Sequence, residues 1–526
     1  MSTPHQDDLQ SALGLRLHVE QLSVLQVERC EIVETLNDYP RLNATLAVGE
    51  AAGLALQAIG QGVECSLANE SAVFSGVLSR IDCFQRAGYT QVEILAEHAL
   101  ARIDHVRHDR IFGEGSRVEI RQLAPFTDFL RFREVSGADV LTAYAEALVQ
   151  SRETDWDFTL RVAHLCGAYL LVNGNGASLV KVGSASDPVT LTENDVQGLF
   201  VTRARITARA SSHQWDRVTG TLQGPKELEL PDGGDPLRAS LKSTSWPGAL
   251  FGTTPLEDPC LSSAEIRATN ELGSELSNAF QLSLQVRLNA PRVSVGDLLE
   301  LPASSGFHGE SFRVERKRLV LDPSGESIYL DCILSDAIPR RRAAAVPHSV
   351  LWLGRVTRAA QRSTHGRIRA RFSQHQDEAG DSADTSVQCD LLQPFAGAAG
   401  GSSAGNWLPP NVDDWVVALA QPGGTGVPLI LGALYRGNAA ADAVTMADTN
   451  RVLFALQQAR VEFEGQSGAL LLSVLQDGGK GSSLRLSSDG IHLTSGDQQS
   501  PKTVKLSSGG LIIDAGTEVH GTLDVK

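Results

Sequence analysis

Gly401-Ser402-Ser403-Ala404-Gly405 has the spacing of a nucleophile elbow, Gly-x-Ser-x-Gly, in which a serine raised on a strand-to-helix turn attacks an acyl carbon. That chemistry needs a strand before the serine and a helix after it. The flanks here are Phe395-Ala396-Gly397-Ala398-Ala399-Gly400 and Asn406-Trp407-Leu408-Pro409-Pro410, which read as a Gly/Ser hairpin loop. His105 and His108 lie three apart beside Asp104 and Asp109, residue types that bind metals, but no third soft ligand accompanies them and the stretch reads as a solvated polar connection. Seven cysteines (Cys30, Cys65, Cys83, Cys166, Cys260, Cys332, Cys389) are scattered, odd in number and without a Cys-x-x-Cys pair. They read as small buried hydrophobes of a protein made in a reducing compartment, not as a disulfide frame or a zinc site. There is no Gly-Lys-Ser/Thr phosphate loop, no His-Glu-x-x-His and no Gly-x-Gly-x-x-Gly after a strand. The sequence therefore assigns no catalytic, cofactor-binding or metal residue, and no enzyme is expected.

Composition bounds the alternatives. A chain of 526 residues is too long for one core and predicts about three or four domains. Hydrophobic content of 42%, aromatics of only 5% and 49 glycines suit a β-rich assembly with many turns. The net charge of −16 opposes a nucleic-acid or anionic-membrane surface, because phosphate binding needs a concentrated positive field. The N-terminus Met1-Ser2-Thr3-Pro4-His5-Gln6 has no basic region followed by an apolar one, so no signal peptide is expected. Nor does any run approach the roughly 18 apolar residues of a membrane span. If the protein leaves the cytoplasm, a machine must carry it.

The elements that frame these residues are mostly strands. Asn406 to Asn438 holds two apolar strands joined by a Gly/Pro turn, Gln421 to Gly426; Pro409 and Pro410 mark the entry, and Val412, Trp415, Val417 and Leu419 supply the apolar faces of the first. Leu429 to Leu434 returns as the second. Gly354-Arg355-Val356 and Gly366-Arg367-Ile368-Arg369-Ala370-Arg371-Phe372 add two more, the latter alternating basic and apolar residues. Four or five short strands of this kind make an OB-like barrel. Residues 13 to about 338 alternate strands with two helical pieces. One is Ala138 to Leu148; the other opens at Thr154, capped by Asp157, with Phe158, Val162 and Leu165 as a core stripe before Gly167. Pro339 to Pro347 is a linker whose Arg340-Arg341-Arg342 reads as solvated, with docking onto acidic neighbours as the alternative. Residues 439–450 read as a second, flexible connection.

From about Arg451 the texture changes. Leu484-x-Leu486, Ile491-x-Leu493, Val504-x-Leu506, Leu511-x-Ile513, Val519 and Leu523-x-Val525 are short apolar alternations separated by Ser/Gly/Asp turns. Each strand buries so little that one copy cannot enclose a core, whereas three copies wound together can. An intertwined trimeric β-prism is expected, against a monomeric stack of hairpins with long exposed edges.

At several places the sequence resembles a known family. Gly366-Arg367-Ile368 to Phe372, Trp407-Leu408-Pro409 with Asp413, and Val427-Pro428-Leu429-Ile430-Leu431-Gly432 with Leu434-Tyr435 are similar to the OB module of contractile-injection spike proteins: the type VI secretion spike VgrG, phage baseplate hub and needle proteins, and extracellular injection particles. Asn411 stands where that module has a glycine. Upstream, Glu34-Thr35-Leu36-Asn37-Asp38-Tyr39 resembles the family's Glu-x-Leu-Ser-x-x-Tyr, with Asn37 for Ser and one residue fewer before the Tyr. Phe74-Ser75-Gly76-Val77-Leu78-Ser79-Arg80, Arg110-Ile111-Phe112, and Arg152-Glu153-Thr154-Asp155-Trp156-Asp157-Phe158 with Arg161 also follow the family's order.

The resemblance implies a mainly β chain. Residues 1–338 would be a baseplate-hub-like domain of two β-barrels with a small helical insertion, 339–349 a linker, 350–438 the OB fold, 439–450 a linker and 451–526 the trimeric spike. It implies a homotrimeric structural protein that adapts a hexameric inner tube to a membrane-puncturing tip. Baseplate proteins would be further partners, with a separate PAAR-like tip protein or effector at the C-terminal end. No cofactor, nucleic acid or stable membrane insertion is implied. The protein would be made in the cytoplasm, assembled into a contractile particle and then secreted or injected. Two rivals are a phage-tail needle with cell-wall hydrolase activity and an OB-fold nucleic-acid-binding protein. The first has no room, because about fifteen residues separate Asn438 from Phe454. The second lacks interleaved aromatics and arginines around the barrel. Among subtypes, the compact prism leans towards a phage-like particle.

Overall fold

The computed structural model describes residues 15–514 apart from 68–72, 114–117, 120–143, 146, 174–175, 183–186, 205–208, 217–220, 230–236, 238–240, 242–250, 253–263, 288–290, 308, 323–324, 341–349, 359–366, 373–385, 393–396, 400–401, 405–409, 421–426, 435–449, 457–458, 465–466, 476–479 and 498–501. The chain divides into two compact units, residues 1–412 with 417–432, and residues 413–416 with 433–526.

The largest element is a twelve-stranded sheet. Its path runs Leu15–Val19, Gly62–Leu67, Phe74–Arg86, Tyr89–Glu97, Arg41–Val48, Val24–Thr35, Ser311–Asp322, Gly325–Leu334, Phe280–Val286 and Val196–Arg203, with Val189–Thr190 and Leu298–Glu300 paired beside it. The expected pair of barrels takes the form of one continuous ladder carrying two cores. Leu42, Leu46, Val63, Val92 and Ile94 build the first, while Phe280, Leu282, Leu284 and Leu330 build the second. Ser311–Asp322 serves both. A bulge between Val314 and Arg316 shifts its alternation, so Phe312 and Val314 enter one core and Leu319 and Leu321 the other.

A third core surrounds the helix Asp155–Leu165, where Trp156, Phe158, Leu160 and Val162 meet Leu100, Leu148, Leu170 and Leu179. Thr154 caps this helix as the sequence predicts, its hydroxyl accepting the Asp157 N–H at 3.0 Å. The other expected helix does not form at its C-terminal end. Tyr144–Ala145 pairs with Val118–Glu119, and Leu148 opens a strand paired with Arg107–Phe112; the rest of the segment lies outside the described residues. Ladder pairing overrides a helical apolar spacing there. A helix the sequence reading does not assign, Ala264–Ala279, packs through Gly273, where a Cβ would stand 2.8 Å from the Ile338 side chain.

Five strands, Val350–Arg358, Ile368–Phe372, Val387–Leu391, Leu429–Leu434 and Trp415–Ala420, close into a barrel. Its inward face corrects one expectation. In Trp415–Ala420 the buried residues are Val416, Ala418 and Ala420, while Trp415 is exposed and Val417 and Leu419 are half-buried. The large core aromatics are Trp352 and Phe372, with ring centroids 5.8 Å apart. They fill a small closed interior and leave room only for small side chains opposite. Gly354 belongs to the same packing, since a Cβ there would sit 2.6 Å from the Phe372 ring.

The C-terminal strands form a seven-stranded antiparallel meander from Asn450–Leu456 to Gly510–Asp514; Ser488-Asp489 and Ser508-Gly509 turn as the sequence predicts, whereas Ser495-Gly496-Asp497 ends a strand. Gly490 and Gly510 close these turns at φ of 125° and 116°. Val519 and Leu523-x-Val525 lie outside the described residues.

Candidate assembly surface

The signature residues of the first unit hold the fold together. Asn37 adopts a left-handed φ of 63° at the turn after Val24–Thr35. Its backbone N–H donates to the Leu170 carbonyl and its side-chain oxygen accepts from the Leu170 N–H, both at 2.9 Å. Its amide nitrogen donates to the carbonyls of Pro339 and Arg340 at 3.2 Å each. Asn37 thus ties a hairpin turn to the chain leaving the large sheet. Arg340 is not a free solvated arginine: its N–H donates to the Glu315 carboxylate at 2.6 Å and its guanidinium to the Ser277 carbonyl at 3.1 Å. Burial raises the Glu315 carboxyl above the usual carboxylate range, partly offset by the Arg340 N–H and charge. Arg341 and Arg342 lie outside the described residues.

The Arg-Glu-Thr-Asp segment is also structural. Buried Glu153 accepts two bonds from Arg161, at 2.8 and 2.7 Å, and Arg161 also donates to the Val149 carbonyl. Asp155 accepts from Arg110 at 3.0 Å and from Gln150 at 2.8 Å. Asp104 accepts from the Tyr39 hydroxyl and from Thr154, at 3.2 and 2.8 Å. The acids near His105 and His108 are thereby engaged in fold contacts, and no metal-holding cluster occurs among the described residues. Ser403 lies in a hairpin, Ser402–Ala404 pairing with Gly397–Ala399, where the elbow chemistry would need a strand-to-helix turn. The six described cysteines are free, and five are buried. Burial pushes the Cys166 thiol up to about 12, far from a reactive thiolate. No helix among the described residues is long and apolar enough to cross a membrane.

What remains is a surface. In the C-terminal meander, cross-strand register places side chains in rows. One row runs Leu470, Leu486, Ile491, Leu506 and Leu511; the next runs Val461, Leu472, Leu484, Leu493 and Val504. Residues directly opposite in an antiparallel ladder share a face, so both apolar rows lie on one side of the sheet. The other side carries Leu471, Arg485, His492, Lys505 and Ile512 in one row and Ser473, Ser483, Thr494 and Thr503 in another, so it is mostly polar. The apolar side lines a trough of about 620 Å³, and Ile491, Leu493 and Leu506 are 40%, 47% and 50% exposed. A contiguous apolar face of this kind is uncommon on a solitary soluble chain. The sequence predicted the apolar alternations from Leu484 onward but not the three strands before them, and the register that aligns them into rows needed the turn geometry.

Comparison with known proteins gives these features a setting. Residues 352–435 match the type VI secretion system/phage-baseplate injector OB domain. No curated protein matches the sequence. In the lidless Francisella PdpA–VgrG complex, a chain 12% identical aligns over 90% of this chain and 94% of its own, with a TM-score of 0.56. The half-lidded form of that complex gives the same identity and TM-score, over 84% of its chain. The E. coli c3393 protein, described as a type VI secretion component with structural similarity to the T4 tail proteins gp27 and gp5, is 14% identical; it aligns over 80% of this chain and 99% of its own at a TM-score of 0.51. Identities this low speak to fold. Residues 352–435 are thus an injector OB domain of the type VI secretion and phage-baseplate kind, set in a mainly β chain with the fold of VgrG-like spike proteins.

Proposed function

We propose that this protein is the trimeric structural spike and hub of a contractile injection system. The observation that carries the reading is the double apolar row along the C-terminal meander, a sheet with one side built for burial and left exposed among the described residues. Three copies with these rows turned inward form a closed prism with hydroxyls and charges outward. In this reading residues 1–338 are the hub that meets a hexameric inner tube and baseplate proteins, 350–438 the OB collar and 451–526 the spike, joined by linkers at 339–349 and 439–450. A separate PAAR-like tip protein or effector sits at the C-terminal end. The protein is made in the cytoplasm and carried into the target when the sheath contracts. It acts by stiffness, with no cofactor and no catalysis.

Native mass spectrometry of the full chain at micromolar concentration tests this, with a mass of three copies expected. A stable monomer overturns the prism. Incubation with cell-wall suspensions separates the hydrolase rival, for which clearing would have to appear and then vanish in Ser403→Ala. Tight binding of single-stranded DNA would favour the nucleic-acid rival.

A further inference from the structure

We propose that the hairpin formed by Arg107–Phe112 and Leu148–Thr154, with the turn leading into it, docks an acidic protein segment through the guanidinium groups of Arg107 and Arg152. In a chain of net charge −16, this corner is locally cationic: Arg102, His105, Arg107 and Arg152 are all exposed. Register sets Arg107 and Arg152 near each other, because Arg107 pairs with Thr154 and Arg152 occupies the bulge between Ser151 and Glu153 on the same two-stranded sheet, while Arg102 and His105 lie in the turn leading into it. The neighbouring charges are already committed. Glu153 turns inward to Arg161, and Arg110 serves Asp155. Asp109 accepts the backbone N–H of Arg152 at 3.1 Å. The side chains of Arg107 and Arg152 make no ion pair with a described residue.

Arg152 also holds a left-handed φ of 50°, a conformation that favours glycine. The fold places an exposed, long-reaching cation at a backbone position that would be easier without a side chain. Two features select a protein partner over a nucleic acid. Asp104, Asp109 and Asp155 are interleaved with the cations and would repel a dense phosphate backbone, whereas separate carboxylates can each take a guanidinium fork. Val106 stands among the arginines at 57% exposure, and arginine beside apolar surface is typical of protein interfaces.

The test uses the full-length protein and two fluorescent probes of equal charge, an oligoglutamate peptide and a single-stranded oligonucleotide, followed by anisotropy. Wild type should bind the peptide in a salt-sensitive way. Arg107→Gln combined with Arg152→Gly should weaken that binding about tenfold, the scale of losing two exposed charge-assisted contacts. Arg29→Gln, which removes an exposed arginine on the twelve-stranded sheet, should leave it unchanged. Arg152→Gly should melt no lower than wild type, because glycine suits the left-handed backbone, so lost binding there is not lost folding. Oligomeric mass should be the same in all variants. The proposal is overturned by absence of peptide binding, by binding indifferent to the double substitution, by preferential binding of the oligonucleotide at the same arginines, or by a change of oligomeric mass that makes them self-assembly residues.

Discussion

Asn37 does three jobs with one short side chain. It tolerates a left-handed backbone, mimics a ladder partner for Leu170, and catches the chain at Pro339 and Arg340. Asn37→Ala should therefore cost about 2–4 kcal/mol, since it strands a buried N–H and forces a Cβ-bearing residue without a compensating bond into the left-handed region. Asn37→Gly should recover roughly 1 kcal/mol of that, the backbone part alone. Chemical denaturation of both variants checks the split, and equal losses would mean the backbone conformation is not a separate cost. The barrel tryptophans give a second contrast. Trp352→Ala should lose about 3–5 kcal/mol, whereas exposed Trp415→Ala should lose about 1 kcal/mol. Comparable losses at both would put the wrong face of Trp415–Ala420 inside. The sequence could not decide that face, because Trp-Val-Val-Ala-Leu-Ala is apolar at every position and alternation carries no information. What decided it was the volume already taken by Trp352 and Phe372, a fact about strands far away in the chain.

Elements with a local signal were legible. The Thr154 cap and its apolar stripe read directly as a helix, and the Ser488-Asp489 and Ser508-Gly509 turns read as hairpins. Elements fixed by distant partners were not: Tyr144–Ala145 and Leu148 pair with strands more than twenty residues upstream, and Ala264–Ala279 carries a mid-helix glycine that weakens its propensity but admits Ile338. The segment leaving the large sheet illustrates a cost hidden in such contacts. Glu315 is buried and its carboxyl raised above the ordinary value of 4.5, so the folded state holds this proton more firmly than the unfolded chain. The stabilisation from the neutral carboxyl is complete below the unfolded value and is lost as pH rises through the raised folded value. Glu315→Gln keeps an oxygen for the Arg340 N–H and removes the ionisation. It should unfold at equal or higher denaturant than wild type at about pH 7.5, with a flatter fall in stability from about pH 5 upward. Lower stability of the variant at about pH 7.5 but not at about pH 4 would show that the charge itself, paired with Arg340, is what the fold needs.

At the scale of the whole molecule, the C-terminal sheet has two unlike sides. Leu472, Val474, Leu486, Ile491, Leu493, Leu506 and Leu511 are exposed on the apolar side of a single chain. Burying a fully exposed side chain of this size is worth about 1.5–3 kcal/mol, and these are already half-buried, so covering them gains roughly 5–9 kcal/mol per copy. Lost translational and rotational freedom takes back an estimated 4–15 kcal/mol on association, so the face can hold copies together on its own only if most of it is covered. Charges placed on the two sides should then have opposite consequences. Leu493→Asp with Leu506→Asp puts two carboxylates into the covered face and should dissociate the assembly at micromolar concentration. Thr494→Asp with Lys505→Asp makes at least as large a change in net charge one residue along the same strands, on the other side, and should leave the oligomeric mass intact. Sedimentation or native mass measurement of the two pairs decides between them. Dissociation by both would point to general electrostatic fragility, and dissociation by neither would mean the copies are joined through the first unit instead.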